Sequence, residues 1–370
     1  MQTKAKPLKT KLSEFAQFIT NKDLLLSLVV SIAIVVAGVG LSLQNNKIVR
    51  PSAYTPARYI AEPRNRLSFL SNWDGPIYIN IAEHGYRTTA TTNYFPLYPL
   101  AIYSVHLLVN SPLDSALIVS WVCLVGAIYY YIKIIKLYFK SQDNVEALRA
   151  ALFFILFPTG VFLIASYSES LFAFLALGAI YCALRKRYVA AGLLAMLTTA
   201  THVDGVFVLI LITLILYETR EKIKNIAAAF IIGSLGLLSY MVYLWRRFNN
   251  PFQFIATQRN HGWLHHSFFS QLGSFSLLNY IFVIIIVLAV IYWWNRKRSF
   301  SIYSGLFLLI PFAGGQFGGF ARYCLMVFPV QFMLYDYLKD KRVLYPLVIA
   351  GFAVGWTYFL LQYAGGYIGG

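Results

Sequence analysis

The chain has 370 residues, 59% of them hydrophobic and 12% charged, with a mean hydropathy of +0.62. A soluble domain carries about 25% charged residues, so a water-soluble fold is excluded; several apolar runs approach the ~20 residues that take a helix across a bilayer. The 31 Lys+Arg against 14 Asp+Glu, a net charge of +17, lie in short clusters between apolar runs. That is how a membrane protein fixes its orientation, and it points away from nucleic acid and toward membrane lipid or a lipid phosphate as partner.

In chain order, residues 1–23 form a basic N-terminus, expected to be cytoplasmic. The apolar run that follows is too long for a signal peptide and lacks a small-residue exit site, so Leu24–Leu43 is expected to be an uncleaved first transmembrane helix. A long outer loop, residues 44–95, follows; ordered loops of that length are usually functional. It contains NWDGPIYINIAEHGY (72–86), where the apolar–polar run 76–82 reads as an amphipathic helix in the plane of the interface. NYFPLYPL (93–100) combines two prolines with three aromatics, which suits a segment dipping to the headgroup level. Residues 96–109 read as a re-entrant or in-plane helix, because a full crossing would put Lys133, Lys136 and Lys140 on the outer side.

Ten further spans are expected: Ala116–Ile135, Ala150–Ser166, Leu171–Leu184, Tyr188–Thr201, Val206–Tyr217, Ile226–Trp245, Leu277–Trp294, Ile302–Phe312, Cys324–Leu338 and Val343–Tyr363. With the six basic clusters inside, the N-terminus is cytoplasmic and the C-terminus outside. Nearly every other polar motif then falls on the outer face. Residues 24–370 are read as one transmembrane domain in the cell membrane. Cys123, Cys182 and Cys324 are far apart in apolar surroundings and indicate neither disulfides nor zinc.

Asp74 could cap the in-plane helix or act chemically, and a carboxylate held at a helix start could do both. Glu169, in FPTGVFLIASYSESLF (157–172), could cap a span or orient a sugar or a metal. In THVDG (201–205), His202 and Asp204 are two residues apart and do not share a helical face, so a common metal would need a broken helix; Asp204 could simply be a cap. His261 and His265 have i, i+4 spacing but no HExxH context, so a divalent metal is possible without being indicated. Gln258, Arg259 and Trp263 read as sugar or phosphate contacts. Arg322, in GGFARY, could snorkel to the interface or pair with a phosphate. Trp73, Tyr78 and Tyr98 are aromatic candidates for the substrate.

WDGPIYINIAEHGY, FPLYPL, FPTGVFLIASYSESLFAFLAL, ATHVDG, FIATQRNHGW and ARYCLMVFP, in that order, resemble the PIG-V-like mannosyltransferases of the GT-C superfamily. The resemblance covers about Asn72 to Pro329. It implies an all-α polytopic GT-C-type bundle, here of about eleven transmembrane helices. It also implies transfer of a sugar, typically mannose, from a polyprenyl- or dolichyl-phosphate donor to an acceptor hydroxyl on the extracytoplasmic side, with inversion. The acceptor would be a glycolipid, a glycan or a protein. The family's essential outer-loop acid falls on Asp74, which would be the general base, and the later acidic position falls on Glu169, which could stabilise an oxocarbenium-like transition state. Arg322, Arg259 and His202 would hold the leaving phosphate. Where an Arg-containing motif ending in Gly is expected, this chain has His202-Val203-Asp204-Gly205. No cofactor is required. A flippase or transporter of a lipid-linked sugar is the alternative; it would show broken-helix repeats, and none is seen in the sequence. The same scaffold with a non-mannose donor is another.

Overall fold

The computed structural model of the chain describes residues 21–44, 66–260, 277–314 and 319–367. Among them every regular element is a helix. The first span is α1 (Lys22–Gln44). In the outer loop, α2 (Asp74–His84) and α3 (Leu97–His106) follow. At ten residues, α3 rises only about 15 Å, too little to cross a bilayer, in keeping with a re-entrant or in-plane segment. α4 (Pro112–Phe139) starts with proline in its first turn and Ser111 accepting the Asp114 N–H, and it ends where Lys140 turns left-handed. α5 (Asn144–Ile155) is capped by the Asp143 side chain on the Val145 N–H.

Here the structure departs from the expected span Ala150–Ser166. α5 stops at Ile155, and the chain continues through a turn and a 3₁₀ segment, Gly160–Leu163. Pro158 carries no N–H and obstructs the carbonyl four residues back. Gly160 packs so tightly that a Cβ would lie 2.9 Å from the Ile155 oxygen. Carbonyls freed by the break are taken up by side chains from neighbouring helices. Trp121 Nε1 donates to Ile164 O at 2.9 Å, and the Ser120 hydroxyl donates to Tyr167 O at 3.2 Å. Non-helical backbone at membrane depth is tolerated under such cover.

The bundle continues with α6 (Glu169–Leu184), α7 (Tyr188–Thr201), α8 (Gly205–Glu218), α9 (Ile223–Phe248) and the short α10 (Gln253–Asn260). α7 and α9 cross at small residues: a Cβ on Gly236 would lie 1.9 Å from Met196 O, and the Thr199 hydroxyl donates to Gly233 O at 2.9 Å. Such close approach is what drives association where no hydrophobic force acts between helices. α11 (Leu277–Trp294) and α12 (Arg298–Gly314) precede the second departure. Cys324–Leu338 is not one helix but α13 (Phe320–Cys324) and α14 (Phe328–Leu338), with Pro329 in the first turn of α14. Pro329 cannot donate to Leu325 O, and the Gln331 side-chain amide does so instead at 2.8 Å. α15 (Leu344–Ala364) closes the chain.

Five helices, α1, α4, α9, α11 and α15, are each long and apolar enough to cross a membrane. Their outward side chains, among them Val29 and Val36 on α1, Ile231 and Leu238 on α9, Ile284 and Ile291 on α11 and Val354 on α15, are exposed. A surface that apolar has no place in water and suits lipid. The chain is an all-α polytopic integral membrane protein.

The helix ends sort into two sets. At one, Asp23 at the start of α1 pairs with Lys133 (2.8 Å) and Lys136 (2.5 Å) near the end of α4. There too, Glu218 at the end of α8 pairs with Lys297 before α12 (2.7 Å), and Arg149 of α5 donates to Lys339 O after α14. The basic clusters of the sequence thus meet one another's helix ends. The opposite ends carry Asp74, Glu169, His202, Asp204 and Arg322.

Candidate active site

Asp74 is the first residue of α2 and not its cap. The cap position is Trp73, with φ 55° and ψ −105° and no side-chain capping bond. A tryptophan at positive φ is strained, of order 1–3 kcal/mol, and persists only where the surroundings over-determine it. They do here. Asn72 is locked from below: its N–H donates to the Tyr363 hydroxyl (3.0 Å) and its side-chain amide to Tyr363 O (2.7 Å). The Tyr167 hydroxyl accepts the Asp74 N–H at 3.1 Å and donates to Asn72 O at 3.2 Å. Gly75 sits so close to the 3₁₀ segment's exit that a Cβ would push against Ser166 Oγ and Ser71 Oγ, which are hydrogen-bonded to each other at 2.8 Å.

With its backbone fixed, the Asp74 carboxylate makes two contacts. Oδ1 accepts from the Tyr94 hydroxyl at 2.9 Å and Oδ2 from Arg322 Nη1 at 2.6 Å. The side chain keeps 23% of its surface exposed, against 9% for Arg322 and for Glu169. Arg322 Nε faces Glu169 Oε1 at 2.8 Å, an ion pair without the alignment of a hydrogen bond. Both carboxylates therefore meet on one guanidinium, leaving the centre with a net charge of −1. The guanidinium is enclosed by the rings of Phe162, Tyr167 and Tyr323, 5.3–5.6 Å from its carbon. Its helix is held to the 3₁₀ segment by the Thr159 hydroxyl donating to Ala321 O at 3.0 Å.

Burial, and after it the neighbouring Asp74, pushes the Tyr94 phenol well above its ordinary range, so the hydroxyl stays protonated and donates. A hydrogen bond to a charged group contributes about 1.5–3 kcal/mol. Tyr94→Phe, which removes only the donor, is expected to lower kcat roughly 10- to 100-fold with unchanged fold by circular dichroism. An unchanged kcat would mean that Arg322 alone orients Asp74.

Tyr78 is buried; its hydroxyl meets Ser168 Oγ at 3.0 Å, tying α2 to the residue before Glu169. Tyr98, also expected at the substrate, is fully buried and engaged with Ser120 Oγ (2.8 Å). Its ring meets the edge of Tyr78 at 5.0 Å, so it supports the site from beneath. His202 and Asp204 do come together, despite their spacing: α7 ends at Thr201, His202 is extended, and Nδ1 lies 3.1 Å from Asp204 Oδ2. Asp204 makes no side-chain capping bond, so the capping reading fails; the carboxylate is spent on the histidine.

Gln258 and Arg259 lie on α10. That helix leans on the outer loop through Thr257, which donates to Thr89 O, and through Phe254, which meets Phe95 edge to face. Among the described residues neither reaches Asp74 or Glu169 by a hydrogen bond or ion pair. Trp263, His261 and His265 lie outside the described residues. Within those residues no three His, Cys, Asp or Glu side chains are grouped to hold a metal. Tyr94, Tyr167 and Tyr363 were missed as site residues by sequence reasoning. Tyr94 stands in NYFPLYPL and reads as an interfacial aromatic, Tyr167 stands two residues before Glu169 without a reading of its own, and Tyr363 has no local signal, being 291 residues from Asn72.

The chain is similar to curated proteins named GPI alpha-1,6-mannosyltransferase 2. It is 36% identical to that of Rattus norvegicus over 149 residues, 38% of this chain and 30% of the relative. It is 32% identical to that of Homo sapiens over 148 residues, with the same shares. The GPI mannosyltransferase 2 of Drosophila pseudoobscura pseudoobscura is 30% identical over 118 residues, 29% of this chain and 26% of the relative. The matched stretches thus span less than a third of the length of these relatives. The profile of the family described as Mannosyltransferase (PIG-V) matches residues 9–281, well over half of the chain. With a bound carboxylate–guanidinium–carboxylate centre at one end of a membrane bundle, the chain belongs to the mannosyltransferase (PIG-V) family.

Proposed function

We propose that the protein transfers a mannosyl residue from a polyprenyl-phosphate-linked donor to a hydroxyl of a glycolipid, with inversion at the anomeric carbon. The observation that supports it best is the contact of Asp74 and Glu169 on Arg322 in a chain of this family. The relatives' names supply the glycolipid acceptor. The basic clusters at the far end of the bundle favour an extracytoplasmic site in the cell membrane, since Lys and Arg are retained on the cytoplasmic side.

In the reaction the acceptor hydroxyl attacks the anomeric carbon as the bond from that carbon to the donor phosphate oxygen breaks. The hydroxyl proton passes to Asp74, and the lipid phosphate leaves with the bonding electrons. A positioned base contributes about 10²–10⁴-fold. Because the resting centre carries a net −1, a phosphate is held only if Arg322 turns from a carboxylate toward it. Turning from Asp74 does two things at once: it supplies the guanidinium to the growing charge and it frees Oδ2 to take the proton. Glu169, on the other side of Arg322, keeps the cation in place and faces the oxocarbenium-like sugar. Arg259 and Gln258, with Trp73 beside the base and Trp263, are proposed as outer contacts to donor and acceptor.

The test is transfer by the purified, detergent-solubilised protein from radiolabelled polyprenyl-phosphate-mannose to a glycolipid acceptor, with a nucleotide-linked mannose in parallel. Product from the lipid donor alone is expected. Product from the nucleotide sugar alone, or translocation of the donor across vesicles without transfer, would reject the reading.

A further inference from the structure

Beside Arg322 lies a cavity of about 20 Å³ lined chiefly by Glu169, Phe172, His202, Asp204, Arg322 and Tyr323. That is room for one water-sized group. One of the lining residues carries an acceptor with no donor: Glu169 Oε2 is buried and takes no hydrogen bond from any described residue. A buried polar atom left so calls for an explanation. The second carboxylate, Asp204, holds His202 at 3.1 Å. The imidazole is itself set between Phe172 (6.2 Å) and Tyr323 (5.7 Å).

The charges in this wall decide the class of ligand. Two carboxylates repel an anion, and the guanidinium repels a cation. A neutral group that donates hydrogen bonds fits both: it supplies the proton that Glu169 Oε2 lacks. Carboxylates beside aromatic faces in a cavity of this size match a single alcohol function of a sugar. Both Asp74 and Glu169 touch the same guanidinium, so a hexose seated with its anomeric carbon beside Asp74 keeps its ring hydroxyls within reach of Glu169.

We infer that the Glu169–His202–Asp204 cavity is the specificity pocket of the enzyme and receives one hydroxyl of the transferred sugar. This rests on the proposed glycosyl transfer. Glu169 accepts the hydroxyl proton directly. Asp204 is a positioning residue, acting through the imidazole of His202.

The test uses the wild-type protein with a set of polyprenyl-phosphate hexoses, each lacking one hydroxyl. One position is expected to lose at least 100-fold in kcat/KM, since a site built to bond a hydroxyl rejects the analogue without it. The other positions are expected to lose far less. With Glu169→Gln and with Asp204→Asn the parent donor slows, while the extra penalty for that one deoxy donor shrinks by at least 10-fold. Equal penalties at all positions in the wild type, or a penalty untouched by both variants, would overturn the pocket. Loss of transfer from every donor in the wild type would instead reject the proposed function, so the two failures are distinct.

Discussion

Asp74→Asn is expected to lower kcat by about 10²–10⁴-fold, the range a positioned general base supplies, while the protein folds and binds donor. The amide is isosteric, and its oxygen still accepts from the Tyr94 hydroxyl, 2.9 Å away in the native site. Arg322 keeps Glu169 as partner. What disappears is the ability to take the acceptor's proton, together with the 2.6 Å bond from Arg322 Nη1, which the amide nitrogen cannot accept. At saturating donor and acceptor the loss therefore belongs in kcat, because an interaction made only in the transition state lowers kcat and kcat/KM together. The measurement is single-turnover transfer from labelled lipid donor with thermal unfolding alongside. A kcat within a few-fold of wild type, at unchanged unfolding temperature, would remove Asp74 as the base.

Arg322→Met is expected to be worse, failing in stability as well as in transfer. The native guanidinium pairs with both Asp74 and Glu169 and is 9% exposed. Removing one partner of a buried ion cluster leaves charge uncompensated, at a cost of about 3–5 kcal/mol. Low yield of folded protein and a depressed unfolding temperature should follow. Adding Glu169→Gln removes the more deeply buried of the two stranded charges, Asp74 being 23% exposed, and is expected to restore folding in the double variant without restoring transfer. That split separates the two roles of Arg322. Recovery of activity together with folding would show that the guanidinium only holds the carboxylates and does nothing for the leaving phosphate.

Most of the helical bundle was legible in the sequence because a bilayer demands long apolar runs and basic ends mark one side. Nine of the eleven expected spans fall on single helices. The two that do not, around Pro158 and Pro329, contain the residue that cannot sustain a helix, but an apolar run reads the same with or without a break. Asp74, Glu169 and Arg322 stood out because charges are scarce between apolar runs. What spacing could not reveal was that all three meet. Nor could it show Asp204 turned onto His202, since that needs His202 in extended backbone between two helices. Tyr94 was quoted within a motif and assigned to the interface, where tyrosines are common. Tyr363 contributes through a contact between distant parts of the chain, and such contacts leave no trace in local pattern.

That last contact also bears on how the protein comes to be active. Asn72 is fastened to the end of α15 by both its backbone N–H and its side chain, and Asn72 fixes the strained Trp73 and hence Asp74. Contacts between residues so far apart in sequence form late, and α15 follows the other described helices in the chain. Until α15 docks, Asn72 lacks both bonds and the backbone that carries Asp74 is held less firmly. The geometry of the candidate site is therefore completed only by that docking.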